Sequence, residues 1–257
     1  SHNSLAHRTT WLRSDLFFMT QLEWQGFKRL DFDFNGRQAI LVIPPKPHPE
    51  GKWMIKTEYF GAFPELELEL LKRGLYLGYV PNITRWSTDE DQDIKSEFIN
   101  YISYGYGLKN KCLLIGMSCG GLHAAELAAR HPENVSALYL DAPVLNLLSC
   151  PGGVGISTCQ FWDEFYAAKG ISMSQLICYR NHPIDKMDIF IKHELPVYMV
   201  YGDKDSTVPY CENGAILEKY YHEHGGTLIT ECKAGFDHHP HGPKNIMHAA
   251  NILEKWA

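Results

Sequence analysis

At 257 residues, 45% of them hydrophobic and with a formal net charge of −6, the chain can bury one large core, and its acids and bases are interspersed rather than gathered in a basic stripe. That pattern excludes a polyanion-binding surface, so no nucleic-acid partner is expected. No stretch approaches the roughly 18 consecutive apolar residues of a membrane span, and residues 1–15 lack a charged start followed by an apolar core, so neither a membrane nor an export leader is expected.

Residues 24–43 read as a hairpin. Phe27, Leu30, Phe32 and Phe34 recur near period two, Asn35-Gly36 supplies the positive φ angles of a tight turn, and Ala39 to Ile43 returns. The proline-rich run from Pro44 to Pro49 ends it, because proline cannot join a ladder. Trp53 to Phe60 reads as a strand, Pro64 to Lys72 as a helix with proline at its start, and Leu75 to Val80 as a strand. A helix follows from about Asp89 to Tyr104, with Ile94, Phe98, Ile99 and Ile102 on one side and acids in its first turn. Next come strand 111–117, helix 119–130, strand 135–140 and, after an irregular section, strand 196–201. The tail adds a helix from about Cys211 to Tyr221, a strand from Thr227 to Cys232 and a helix from Lys244 to Trp256.

Strands alternating with helices of ten or more residues imply parallel pairing. The expected fold class is therefore α/β: a mostly parallel, eight-stranded sheet with an antiparallel N-terminal hairpin and helices on both faces. It is read as a single domain over residues 1–257. Between Pro143 and about Glu194 the periodicity is lost, with Cys150 to Gly155 as loop and Phe161 to Lys169 as a short aromatic helix. This section, about 143–194, reads as a cap-like insertion over the C-terminal strand ends, where ligands bind in open α/β sheets. Seven cysteines, odd in number and without paired spacing, suit thiols in a reducing compartment, so the expected location is the cytoplasm.

The chemistry centres on Cys112 to Ala125, where an apolar strand meets a helix through Gly116-Met117-Ser118-Cys119-Gly120. Gly-x-Ser-x-Gly forces its serine into a tight exposed bend, with glycines removing Cβ atoms that would clash. A serine hydroxyl is a poor nucleophile until a base takes its proton, and the base must be oriented by a third group. Tyr198 to Pro209 places Asp203 and Asp205 in the loop after a buried strand. Asp205, deeper in the loop, is the expected orienting carboxylate; the alternative is that either acid caps a turn. The base is expected in Ala234 to Gly242, and His238 is the candidate. His239 and His241 are expected to make hydrogen bonds that shape the loop. Three histidines in four residues also invite a metal reading. Against it, Pro240 breaks any helix that could bring two imidazoles together, and no thiol or carboxylate cluster has ligand spacing nearby. No metal is expected.

An acyl-transfer site also needs oxyanion donors. The first is the Cys119 amide at the helix start, where N–H groups are free. The second comes from Phe60 to Pro64, with Phe60 as donor and Ala62 open as the alternative. Glu58, in an apolar strand beside that loop, reads as a satisfied acid behind the site or as a substrate contact. Trp86, Phe161, Trp162, Phe165 and Tyr166 could line a pocket or simply pack, and His123 is assigned no role.

With Gly116 to Gly121, Asp205 before Val208-Pro209, and His238 in this order, the chain resembles α/β-hydrolases of the esterase/lipase type. Glu58 to Pro64, Leu140 to Val144, Cys150 to Gly153 and Gly235 to Pro240 further resemble a set of mostly bacterial, uncharacterised α/β-hydrolases near carbohydrate esterases and prolyl-oligopeptidase-like proteins. The resemblance spans nearly the whole chain. It implies a triad of Ser118, Asp205 and His238 and no cofactor. Two positions depart from that set, where arginine usually follows the serine and tryptophan precedes Pro151; here they are Cys119 and Cys150. The expected function is hydrolysis of a carboxylic ester, with a small acyl group or a sugar or phenolic alcohol as the preferred substrate. The alternatives are a prolyl-oligopeptidase-like peptidase and an inactive binding protein of the same fold. The expected partner is a small-molecule ester, and a homo-oligomer is left open.

Overall fold

The computed structural model describes residues 19–257. Residues 1–15, read above as carrying no leader, lie outside the described residues. The chain starts with an antiparallel meander of β1 (Thr20–Trp24), β2 (Phe27–Phe34) and β3 (Arg37–Ile43). Both of its turns are two-residue pairs with positive φ, Gln25-Gly26 at 52° and 83° and Asn35-Gly36 at 51° and 82°. That matches the right-handed twist of the flanking strands. β3 then pairs antiparallel with β5 (Tyr76–Tyr79), and from there the sheet is parallel through β4 (Trp53–Lys56), β6 (Cys112–Met117), β7 (Val135–Asp141), β8 (Val197–Gly202) and β9 (Leu228–Lys233). The strand order is β1-β2-β3-β5-β4-β6-β7-β8-β9.

The described sheet thus has nine strands where eight were expected. The extra one is β1, whose five residues are almost all exposed, so it has no buried face to leave a period in the sequence. The central strands β4 and β6 are buried at every position, as expected where helices cover both faces.

Helices α1 (Glu65–Lys72) and α8 (Ile246–Trp256) cover one face; α2 (Asp89–Tyr106), α3 (Cys119–Arg130) and α7 (Gly214–His224) cover the other. α2 starts where the Thr88 hydroxyl accepts the Asp91 N–H and ends at Gly107, at φ 67°. α7 begins three residues later than its periodicity suggested. Asn213 leaves helical geometry so that its Oδ1 can accept the N–H groups of Leu145 and Asn146, both at 3.0 Å. The section from 143 to 194 holds three short helices, α4 (Trp162–Lys169), α5 (Met173–Cys178) and α6 (Met187–Lys192). Phe165 and Leu176 pack with Trp86, Cys119, Leu122 and Val208 in a separate apolar cluster beside the elbow helix. No helix among the described residues is long and apolar enough to cross a membrane.

Candidate active site

Ser118 lies between β6 and α3 at φ 55°, ψ −121°, a conformation L-residues rarely adopt. Its carbonyl accepts the Gly121 and Val144 N–H groups at 2.9 and 3.1 Å, and its own N–H donates to the Asp141 carbonyl at 2.9 Å. The glycines around it are steric necessities. A Cβ on Gly116 would overlap the Gly120 carbonyl, and one on Gly121 would come within 2.5 Å of Pro143 Cβ.

From the loop after β8, the Asp205 carboxylate accepts the Thr207 and Val208 N–H groups on Oδ1 at 3.0 and 2.8 Å and faces His238 Nδ1 through Oδ2 at 2.8 Å. His238 Nε2 lies 2.9 Å from Ser118 Oγ. Asp205 and His238 are both buried, so the carboxylate, the imidazole and the hydroxyl form one hydrogen-bonded line. Asp203 is turned elsewhere and accepts the Gly235 N–H at 2.6 Å.

Cys119 is the first residue of α3, where main-chain N–H groups have no partner within the helix. Its thiol is buried beside Tyr59, and burial pushes it up to about 12, so it remains a neutral thiol. β4 ends at Lys56, earlier than expected, because Tyr59, Gly61 and Phe63 all take positive φ and turn the chain away from the sheet. In this loop the Ala62 N–H donates to the Tyr59 carbonyl at 3.0 Å and the Tyr59 N–H to Glu58 Oε1 at 3.1 Å. Neither bond uses the Phe60 N–H. Glu58 is a satisfied acid: it also accepts from Tyr79 Oη at 3.3 Å and from Asn82 Nδ2 at 3.1 Å.

A cavity of about 440 Å³ opens at Ser118, walled by Tyr59, Phe63, Trp86 and Phe161, with Arg85 at its side. Arg85 Nε donates to Glu164 at 2.7 Å, and its guanidinium lies 4.2 Å from the Phe161 ring centre. Trp86 is buried and donates to the same Glu164 oxygen at 2.7 Å. Trp162, Phe165 and Tyr166 do not line this cavity but stack in the insertion. His123 is fully buried against Gln92 and Lys95, with Nε2 2.9 Å from the Thr84 carbonyl.

Sequence reasoning missed Asp141. It ends β7, accepts from His241 Nδ1 and the Gly242 N–H, both at 2.7 Å, and from Tyr139 Oη at 3.0 Å. Burial pushes its carboxyl up most strongly of any single cause, but the bond and charge of His241, the Gly242 N–H and the Lys233 charge together hold it below the usual carboxylate value. The available signal was an acid at the C-terminal end of a buried strand.

Residues 82–170 match the family model described as the alpha/beta hydrolase fold. No curated protein matches the chain. Among solved structures, a truncated carbohydrate esterase from gut microbiota superposes with a TM-score of 0.63 at 15% identity, over 85% of this chain and 90% of that one. Est1E from Butyrivibrio proteoclasticus does so with a TM-score of 0.55 at 15% identity, over 93% and 96%. Dipeptidyl peptidase 4 from Porphyromonas gingivalis has a TM-score of 0.62 at 14% identity and covers 93% of this chain, which spans only 35% of that peptidase's length. With a sheet order of eight crossing or neighbouring pairings, a strained serine between strand and helix, and these likenesses in agreement, the chain has the α/β-hydrolase fold.

Proposed function

We propose that this protein hydrolyses carboxylic esters, with Ser118 as nucleophile, His238 as general base and Asp205 as the group that orients it. The observation that carries this reading is the continuous line from Asp205 Oδ2 through His238 to Ser118 Oγ, at 2.8 and 2.9 Å. Because a carboxylate can only accept, the proton sits on His238 Nδ1, and Nε2 is left with the lone pair that receives the serine proton. Ser118 Oγ then bonds to the ester carbonyl carbon, and the developing oxyanion takes hydrogen bonds from the Cys119 and Phe60 N–H groups. The imidazolium returns its proton to the departing alcohol. Water, deprotonated by His238 in turn, cleaves the acyl-enzyme and releases the acid.

The substrate we assign is an ester with a small acyl group, carried on a sugar or phenolic alcohol. The aromatic walls of a cavity of about 440 Å³ support that choice, and so does the fold shared with a carbohydrate esterase. The cytoplasm remains our proposed location, on the grounds that all seven cysteines are free thiols.

The test is labelling with a fluorophosphonate probe, followed by an ester panel. Labelling is expected in the wild-type chain and absent in Ser118→Ala; an unlabelled wild type would leave an inactive binding protein. Acetyl, butyryl and feruloyl esters are expected to be cleaved faster than a prolyl amide. The reverse order would make the protein a peptidase, in line with its likeness to a dipeptidyl peptidase.

A further inference from the structure

Three imidazoles stand together on the loop after β9, and the proposed reaction uses one. One nitrogen from each of His238, His239 and His241 lies within 4.8 Å of the other two. The ring centres are 4.8 to 5.1 Å apart, each pair edge to face. Two of the three rings are held from behind by buried acids: His238 Nδ1 by Asp205 at 2.8 Å and His241 Nδ1 by Asp141 at 2.7 Å. Since both acids accept, both rings carry the proton on Nδ1 and keep the lone pair on Nε2. A carboxylate behind an imidazole is the arrangement that orients histidines toward a metal ion and raises their basicity. Acyl transfer needs one such dyad, and the second, Asp141–His241, is left unexplained by it.

We infer that His238, His239 and His241 form a binding site for a divalent transition-metal ion of the class that prefers imidazole, Zn²⁺ foremost, and that the bound ion shuts off the base. Imidazole nitrogens suit Zn²⁺, Cu²⁺ and Ni²⁺ rather than Ca²⁺ or Mg²⁺. A tetrahedral Zn²⁺ with Zn–N bonds of about 2.0–2.1 Å sets ligand nitrogens about 3.4 Å apart, so the present spacing must close by up to about 1.4 Å. His239 can supply that movement, because it is exposed and, apart from the other two imidazoles, packs against the Phe63 ring 6.1 Å away. Pro240 rules out helical spacing, but the turn itself gathers the rings. The fourth position is left to water or Ser118 Oγ. A metal on His238 Nε2 occupies the lone pair that would accept the serine proton, and the ion leaves when a chelator competes. Only this inhibitory consequence rests on the proposed ester hydrolysis; metal binding does not.

The experiment uses the full chain, stripped with EDTA and exchanged into chelator-free buffer, and titrates it with Zn²⁺ by calorimetry and with Co²⁺ by visible absorption. We expect one site at about micromolar affinity or tighter, with the intense bands of tetrahedral Co²⁺, above the weak background of surface histidines. His239→Ala/His241→Asn should weaken that site at least tenfold and leave the background unchanged. Asp141→Asn should weaken it about 10- to 100-fold without removing a ligand. If the double variant does not fold, the exposed single change His239→Ala is expected to show the tenfold loss by itself. Saturating Zn²⁺ should suppress fluorophosphonate labelling of Ser118, and EDTA should restore it. Wild-type and His239→Ala chains that bind both ions alike would overturn the site, and so would tight binding that leaves labelling intact. Metal binding in a chain that cleaves no ester would overturn the ester reading alone.

Discussion

Ser118 holds a backbone conformation that is unfavourable by about 1–3 kcal/mol, and its neighbours show what sustains it. The turn is tied to β7 through the Asp141 carbonyl and to Val144, and the glycines let strand and helix pass at backbone contact. Gly121→Ala should therefore push the elbow off Pro143, lowering stability by about 1–3 kcal/mol and slowing fluorophosphonate labelling, both measurable on the purified variant. Asp205 acts in the proposed reaction by fixing the His238 tautomer, so Asp205→Asn is expected to lower kcat about 10⁴-fold while circular dichroism stays native. Labelling at the wild-type rate in that variant would remove Asp205 from the mechanism. At this scale the sequence was most legible around position 118, where the glycines are local demands of one turn. It was least legible at position 141, where the acid looks like any strand end until His241, 100 residues away, arrives beside it.

The elements were read in order and mostly to within a few residues, because buried strands and amphipathic helices carry their own periods. The departures have tertiary causes. α7 starts late because Asn213 is drawn to the loop after β7, where its side chain also donates to Ser149 Oγ at 3.2 Å, and to the Pro209 carbonyl of its own loop at 3.0 Å. Asn213→Ala strands the Leu145 and Asn146 N–H groups, at about 1–3 kcal/mol for each buried donor. A drop in melting temperature of roughly 4–24 °C is expected in a thermal scan, at about 2–4 °C per kcal/mol for a chain of this size. A change under a degree would mean that water replaces the side chain. β4 ended early for a similar reason. Thr57 still bonds to Ile115, but the next residues curl back so that Lys56 can reach the Ala62 carbonyl at 3.0 Å and the buried Glu67 carboxylate of α1.

Across the whole molecule, Asp141 joins the end of buried β7 to the histidine loop, and it makes that junction sensitive to acid. Its folded pKa lies below the unfolded value of 3.8, so as the pH nears and passes below that value the native state binds fewer protons than the unfolded chain. The stability this confers is complete above the unfolded value and is lost as pH falls through the folded one. Urea midpoints taken from about pH 6 down to about pH 3 should fall more steeply for wild type than for Asp141→Asn; parallel curves would show that the junction carries no linkage. The sequence by itself determined the alternation of strand and helix, the turn at Asn35-Gly36 and the strand–serine–helix bend, because each depends on residues adjacent in the chain. Only the tertiary structure decided that His238 meets Ser118 across 120 residues and Asp205 across 33, that Asp203 turns away, and that a second acid and imidazole stand beside them. Those encounters depend on the order in which parallel strands are laid side by side, and hydrophobic periodicity carries no record of that order.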